Sequence, residues 1–244
     1  MRQPLAPLKR MIYPGRMIAI GRDVSGAHHI VLYAITGRSP SSQARKLVAE
    51  GNRIWTKPTD PEILKKGNPD LLVYPAIVLG AGIAVSNGKQ TSDIDPEGKE
   101  SPIEVLERGL QKWSFEPDAP IYTPRINGCV LPSNRTALGL IRRGPGGEAL
   151  RSFFELSLAP RQGKMISTYQ GENTDPLPSF RGGPLDLTLA EATAADMAAA
   201  VYGALAPRPG EPDFRVAVAC VFARISDLRD YRLHIINRNE RTGR

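Results

Sequence analysis

The residues in this chain that could do chemistry gather in four short polar motifs, each beside a segment that reads as a β-strand. They are Tyr13-Pro14-Gly15-Arg16, Gly37-Arg38-Ser39, Asn87-Gly88-Lys89-Gln90-Thr91 and Thr123-Pro124-Arg125-Ile126. Three of the four carry an arginine. A strand end that presents Arg with Gly, Asn or Thr suits an oxyanion ligand: the guanidinium supplies charge, and backbone N–H groups and hydroxyls supply orientation. Each motif also has a plainer reading. Asn87-Gly88 between strands is the usual signal of a type I′ hairpin turn. Arg125 can be a sheet-edge charge, and Arg45, a few residues beyond the second motif, can be an exposed helix residue.

The elements that must position these residues are mostly strands. Met17–Gly21 and His29–Thr36 read as a pair joined by the turn-type segment Asp23–Gly26. Leu72–Val78 and Ile83–Ser86 read as a second pair, broken by Gly80-Ala81-Gly82. Arg125–Leu131, Thr136–Arg142, Arg151–Leu158 and Met165–Tyr169 continue the series, and Phe214–Ala223 and Asp230–Ile236 end it. Val216–Val221 is almost wholly apolar, as in a strand covered on both faces. Ser101-Pro102-Ile103-Glu104 is a capping box, with Ile103, Leu106 and Leu110 on one face of the helix it opens. Thr188 reads as the start of a second helix carrying Ala192, Ala195, Ala199 and Tyr202. A third is expected after Ser39 through Ala44 to Glu50, and a short one after Asp60-Pro61-Glu62. Asn173–Pro184 reads as a long loop. Many strands with few helices argue for α+β layers over alternating βαβ units.

Composition sets bounds. The 244 residues are 41% hydrophobic and 23% charged, which describes a globular chain able to bury a core. No apolar run approaches the roughly 20 residues a membrane helix needs. Residues 1–12 lack an apolar core of signal-peptide length, so the expectation is a cytoplasmic protein. Cys129 and Cys220 lie in apolar strand-like runs and read as buried, reduced thiols. The net charge of +7 raises nucleic-acid binding. Much of the excess lies before residue 17 and in Arg238–Arg244, without aromatic interleaving, so a basic protein with an anionic small ligand explains it as well.

In this order and spacing the motifs resemble the archaeal-type inosine monophosphate (IMP) cyclohydrolase family, which closes the purine ring. The resemblance extends through Val31–Ala34 running into Gly37-Arg38-Ser39, then Arg45, Tyr74, Ala84–Gly88 with Thr91 and Asp93, Phe115-Glu116, Ser167-Thr168-Tyr169 and Val216–Ala219. The chain departs from it at residues 95–100 and 133–150, and at Gly37, where the family carries Ser. The resemblance implies a four-layer αββα sandwich of the N-terminal-nucleophile hydrolase type, without a processed nucleophile. It implies one domain over residues 13–237, between a basic arm (1–12) and a basic tail (238–244). The implied substrate is 5-formamidoimidazole-4-carboxamide ribonucleotide, giving IMP, with no metal or other cofactor. Within this reading Glu116, Tyr74 and Arg38 are the catalytic candidates. Arg16, Arg45, Asn87, Gly88, Thr123 and Arg125 are the substrate-binding ones. A homo-oligomer is expected, with no membrane partner and no nucleic acid.

Other constellations fall away. His28 and His29 are adjacent in a strand and point to opposite faces, so they do not share a metal. Gly144–Gly147 lacks the Lys-Ser/Thr ending of a phosphate loop and reads as a hairpin. The alternative reading is an amidohydrolase or acyltransferase of the same fold on another amide or nucleotide, or a basic nucleic-acid-binding protein. The first needs a processed Cys, Ser or Thr at the start of the first strand, where none occurs between Met1 and Arg22, and intact mass would expose such processing.

Overall fold

A computed structural model of the chain describes residues 3–60, 62, 72–97 and 101–241. Its architecture is α+β: two antiparallel sheets with few helices. Strands β1 (Arg16–Arg22), β2 (His28–Thr36), β10 (Gln162–Ser167), β11 (Leu185–Thr188), β12 (Arg215–Arg224) and β13 (Asp227–Asn237) form one sheet, in the order β11-β10-β1-β2-β12-β13. The second sheet runs in sequence order: β3 (Arg45–Glu50), β4 (Arg53–Pro58), β5 (Tyr74–Leu79), β6 (Ile83–Ser86), β7 (Arg125–Leu131), β8 (Arg135–Arg143) and β9 (Ala149–Leu156).

Strand alternation sorts side chains onto the two faces of each sheet. Ile18, Ile20, Val31, Tyr33 and Ala219 of the first sheet meet Ile54, Ile77, Val85, Ile126 and Leu140 of the second in one buried cluster. The intervening residues Met17, Ala19, Leu32 and Cys220 turn outward, against helix α4 (Ala194–Ala204) and Leu8 of the short helix α1 (Ala6–Arg10). Ala84, Cys129 and Ile141 turn outward from the second sheet against Val105, Leu106 and Leu110 of helix α3 (Pro102–Leu110). The Ser101 capping box forms as expected. Both cysteines are buried free thiols, and burial pushes Cys129 up to about 12. His28 and His29 do take opposite faces, and the Gly144–Gly147 segment does join β8 to β9 as a hairpin.

Three expectations need correction. The helix expected from Ser39 to Glu50 is only one turn, α2 (Pro40–Gln43), and the chain then becomes β3, whose Leu47 faces the core. A Cβ at Gly37 would lie 2.6 Å from the Ser42 carbonyl carbon, so this tight fold-back rests on the glycine. Thr188 ends strand β11 instead of opening a helix. Thr193 caps α4, its hydroxyl accepting from the Asp196 N–H at 3.1 Å. Asn87-Gly88 is not a two-residue hairpin: Gly88 is extended (φ −172°), and a 3-10 turn (Lys89–Asp93) follows. Strand β4, unanticipated, pairs β3 to β5. The short helix expected after Glu62 lies outside the described residues.

One feature of the topology builds the site. β6 and β7 pair directly, yet residues 87–124 run between them. This excursion leaves and re-enters the sheet at the end where β1, β3, β5 and β7 begin.

Candidate active site

At that end the two sheets present ionisable side chains to one another. Arg16 opens β1 on the same face as Ile18 and Ile20, so its side chain is directed between the sheets. Its Nη2 lies 3.6 Å from Oε2 of Glu116, which is 2% exposed. Arg45, at the start of β3, is also buried, with Nε donating to the Ser42 carbonyl at 2.9 Å. Tyr33 and Tyr74 reach from opposite sheets and join hydroxyls at 2.9 Å, both fully buried. The turn into β1 needs Gly15 at φ 74°, because a Cβ there would lie 2.1 Å from Thr168 Oγ1.

The excursion supplies the carboxylates. Asn87 ties it to the sheet: its Oδ1 accepts from the Ile126 N–H at 2.8 Å, and its Nδ2 donates to the Pro124 carbonyl at 2.9 Å and to Glu116 Oε1 at 3.2 Å. Gln90 donates to Asn87 Oδ1 at 3.1 Å and accepts from Arg125 Nη1 at 2.8 Å. Arg125 also donates to the Ser114 carbonyl and lies over the Trp113 ring, 4.8 Å from its centroid. Asp118 closes the loop, one oxygen accepting from the Thr123 N–H at 2.7 Å and the other from Thr123 Oγ1 at 2.5 Å. Thr123 Oγ1 in turn meets the Tyr169 hydroxyl at 2.8 Å. Tyr169 stacks on Tyr13, with centroids 5.7 Å apart.

These groups surround a cleft of about 290 Å3, lined by Tyr13, Arg16, Arg38, Ser39, Ser41, Ser42, Arg45, Leu72, Glu116, Asp118, Ile121, Thr123, Tyr169 and Leu177. Larger grooves of about 480 and 510 Å3 flank α1, but none of their charged side chains is buried. Five of the nine residues singled out from the sequence line the cleft: Arg16, Arg38, Arg45, Glu116 and Thr123. Tyr74, Asn87, Gly88 and Arg125 stand behind that lining. Tyr74 is bonded to Tyr33 and Asn87 to Glu116, and Gly88 leaves room for the Arg125–Gln90 pair. Arg38 is the most exposed guanidinium of the set, donating to the Thr174 carbonyl at 3.0 Å. Asp118 and Ile121 belong to none of the sequence motifs, and Tyr169, which belongs to one, is not among the nine. Asp118 had a signal, a carboxylate five residues before a threonine, but spacing alone does not show a loop closing on itself.

Electrostatics set Glu116 apart from an ordinary surface carboxylate. Burial pushes its carboxyl above the ordinary value, against the pull of Arg16 and Arg125, and Asp118 adds to the rise. Burial opposes the Arg16 charge, but Glu116 and the surrounding phenols outweigh it and hold the guanidinium well above its usual value. Burial, then Arg16, lowers Arg45. Burial raises the Tyr169 phenol to about 12. Among the described residues no group of three or more His, Cys, Asp or Glu converges as a metal ion would need. No helix there is long and apolar enough to cross a membrane.

Fold and cleft together define a class: a two-sheet α+β protein whose strand ends form an arginine-lined cleft with a buried carboxyl set against Arg16. Over residues 13–227 the chain matches the family described as IMP cyclohydrolase-like protein, and it belongs to that family. Comparison with curated proteins returns no match.

Proposed function

We propose that this protein is a cyclohydrolase that closes 5-formamidoimidazole-4-carboxamide ribonucleotide to IMP in purine biosynthesis. The observation that carries the reading is Glu116, buried with a raised pKa against Arg16 in the arginine-lined cleft of a chain of this family. In the reaction the carboxamide nitrogen attacks the formyl carbon and forms the new C–N bond. The formyl oxygen then leaves as water, with one proton from the carboxamide and one from the formamido nitrogen. Both reacting groups belong to one molecule, so holding them face to face contributes on the order of 7–11 kcal/mol of the barrier. Glu116 takes the carboxamide proton and returns it to the departing oxygen. Arg16 stabilises the negative charge that develops on that oxygen. Arg38 and Arg45, beside the hydroxyls of Ser39, Ser41 and Ser42, take the phosphate. Tyr74 acts from behind Arg16 as part of the phenol pair with Tyr33.

The same reading assigns the four-layer αββα sandwich of N-terminal-nucleophile hydrolases, supported by α3 and α4 lying on the outer faces of the two sheets. It also carries a homo-oligomer and a cytoplasmic location. Neither Cys, Ser nor Thr stands at the start of β1, so the site works without such a nucleophile. The test is an absorbance assay with the purified protein and the formamido ribonucleotide. Appearance of IMP at a rate proportional to protein supports the assignment; bound nucleotide without turnover would remove it.

A further inference from the structure

The hydroxyl contacts along one cleft wall have a direction. Asp118, as a carboxylate, only accepts hydrogen bonds, and Thr123 gives it both the backbone N–H and the single hydroxyl proton. With that proton committed, Thr123 Oγ1 can only accept at its 2.8 Å contact with Tyr169. The Tyr169 hydroxyl therefore spends its proton on Thr123, and the lone pairs of its oxygen are what remain for a ligand. Tyr169 is 3% exposed and fixed by stacking on Tyr13, so its ring cannot swing to reverse the arrangement.

We propose that Asp118, Thr123 and Tyr169 form a hydrogen-bond chain of fixed polarity that makes Tyr169 an acceptor in the cleft and selects ligands presenting an N–H donor there. Resting on the ring-closure reading above, the donor is the carboxamide N–H that Glu116 leaves in place, which becomes N1–H of IMP. Tyr169 is the specificity-determining residue, and Asp118 is a positioning residue acting through Thr123. The chain discriminates against ligands that place a lone pair at the same point, because two acceptors would face one another without a proton.

The polarity can be reversed by a single atom. In Asp118→Asn the amide oxygen must stay opposite the Thr123 N–H, so the amide nitrogen faces Thr123 Oγ1 and donates to it. Thr123 then donates to Tyr169, and the Tyr169 proton turns into the cleft. The experiment compares calorimetric binding of IMP, with its N1 proton, and purine riboside 5′-monophosphate, whose N1 carries a lone pair. It uses the wild-type protein, Asp118→Asn and Tyr169→Phe, the last keeping the aromatic stack. The wild type is expected to prefer IMP. The preference ratio should fall at least tenfold in Asp118→Asn and by a smaller factor in Tyr169→Phe, while both variants keep the wild-type unfolding temperature within a few degrees. A ratio unchanged in Tyr169→Phe, even if Asp118→Asn does not fold, overturns the chain while leaving the ring-closure reading intact. A wild type that binds neither nucleotide overturns that reading, and this assignment with it.

Discussion

Strand β1 carries a partly buried arginine at each end, on the same face, and the two differ in what surrounds them. Arg16 meets a buried carboxyl, three phenols (Tyr33, Tyr74 and Tyr169) and the Arg45 guanidinium beside an open cleft. Arg22 meets backbone carbonyls, those of Leu158 at 3.3 Å and of Gly26, and lies across from His29 in the neighbouring strand. His29 is fully buried, and among the described residues neither its ring nitrogens nor Arg22 Nε makes a hydrogen bond of normal geometry. A partly buried arginine is therefore no functional signal by itself. The cleft end is distinguished by groups able to exchange a proton and by volume for a ligand. The far end carries the cost of buried polar groups without either.

Substitutions can break or sharpen that contrast. The largest effect is expected from Glu116→Gln, with kcat falling roughly 10²–10⁴-fold and KM changing little. The wild-type acid limb of kcat/KM should lie above the ordinary carboxylate value of 4.5, because burial raises Glu116, and it should vanish from the residual activity of the variant. Unchanged turnover would remove Glu116 from its role. Arg16→Met leaves that carboxyl buried without its partner and should cost about 3–5 kcal/mol in denaturant unfolding. Arg22→Met should cost about 1–3 kcal/mol, with activity retained; equal losses of activity in the two would erase the distinction.

His29 sharpens the contrast through pH. Burial first, then Arg22, lowers it from 6.5 to about 4. The unfolded chain binds the proton more readily, so stability is complete above pH 6.5 and declines as pH falls towards 4, by about 3 kcal/mol. Urea melts across this range should show the decline, and His29→Leu should flatten it. The smallest effect is expected at the cleft rim. Arg38→Ala should weaken nucleotide binding by about 1–2 kcal/mol in calorimetry with little change in kcat, since Arg38 is a third exposed and held by the Thr174 carbonyl, Asp175 and the Tyr13 ring. A collapse of kcat at unchanged affinity would move Arg38 from holding the ligand to the reaction itself.

Legibility followed range. Ser101 announced α3 because a capping box is satisfied within four residues. Arg45–Glu50 reads as helix because it is short and its alternation is shallow; pairing with β4, not local propensity, makes it β3. Thr188 and Thr193 both look like caps, and pairing of Thr188 with Gln162 of β10, with Leu187 and Leu189 packed in the cluster beneath α4, gives Thr188 to a strand. The same logic holds in the cleft. Motifs at strand ends marked Arg16, Arg38 and Arg45, but Ile121 and Leu177 carry no pattern and enter the lining through loops folded back over it.

By itself the sequence determined the strand-rich α+β class, the faces of its strands and the motif order that marks the family, because alternation and short motifs are local. Only the tertiary structure decided that Arg16 meets Glu116, that Tyr74, Asn87 and Arg125 stand behind the cleft, and that Tyr169 meets Thr123 at its wall. Those outcomes depend on which strands become neighbours and in what register. That choice is made collectively, by two sheets burying their inner faces against each other, and no stretch of chain encodes it alone.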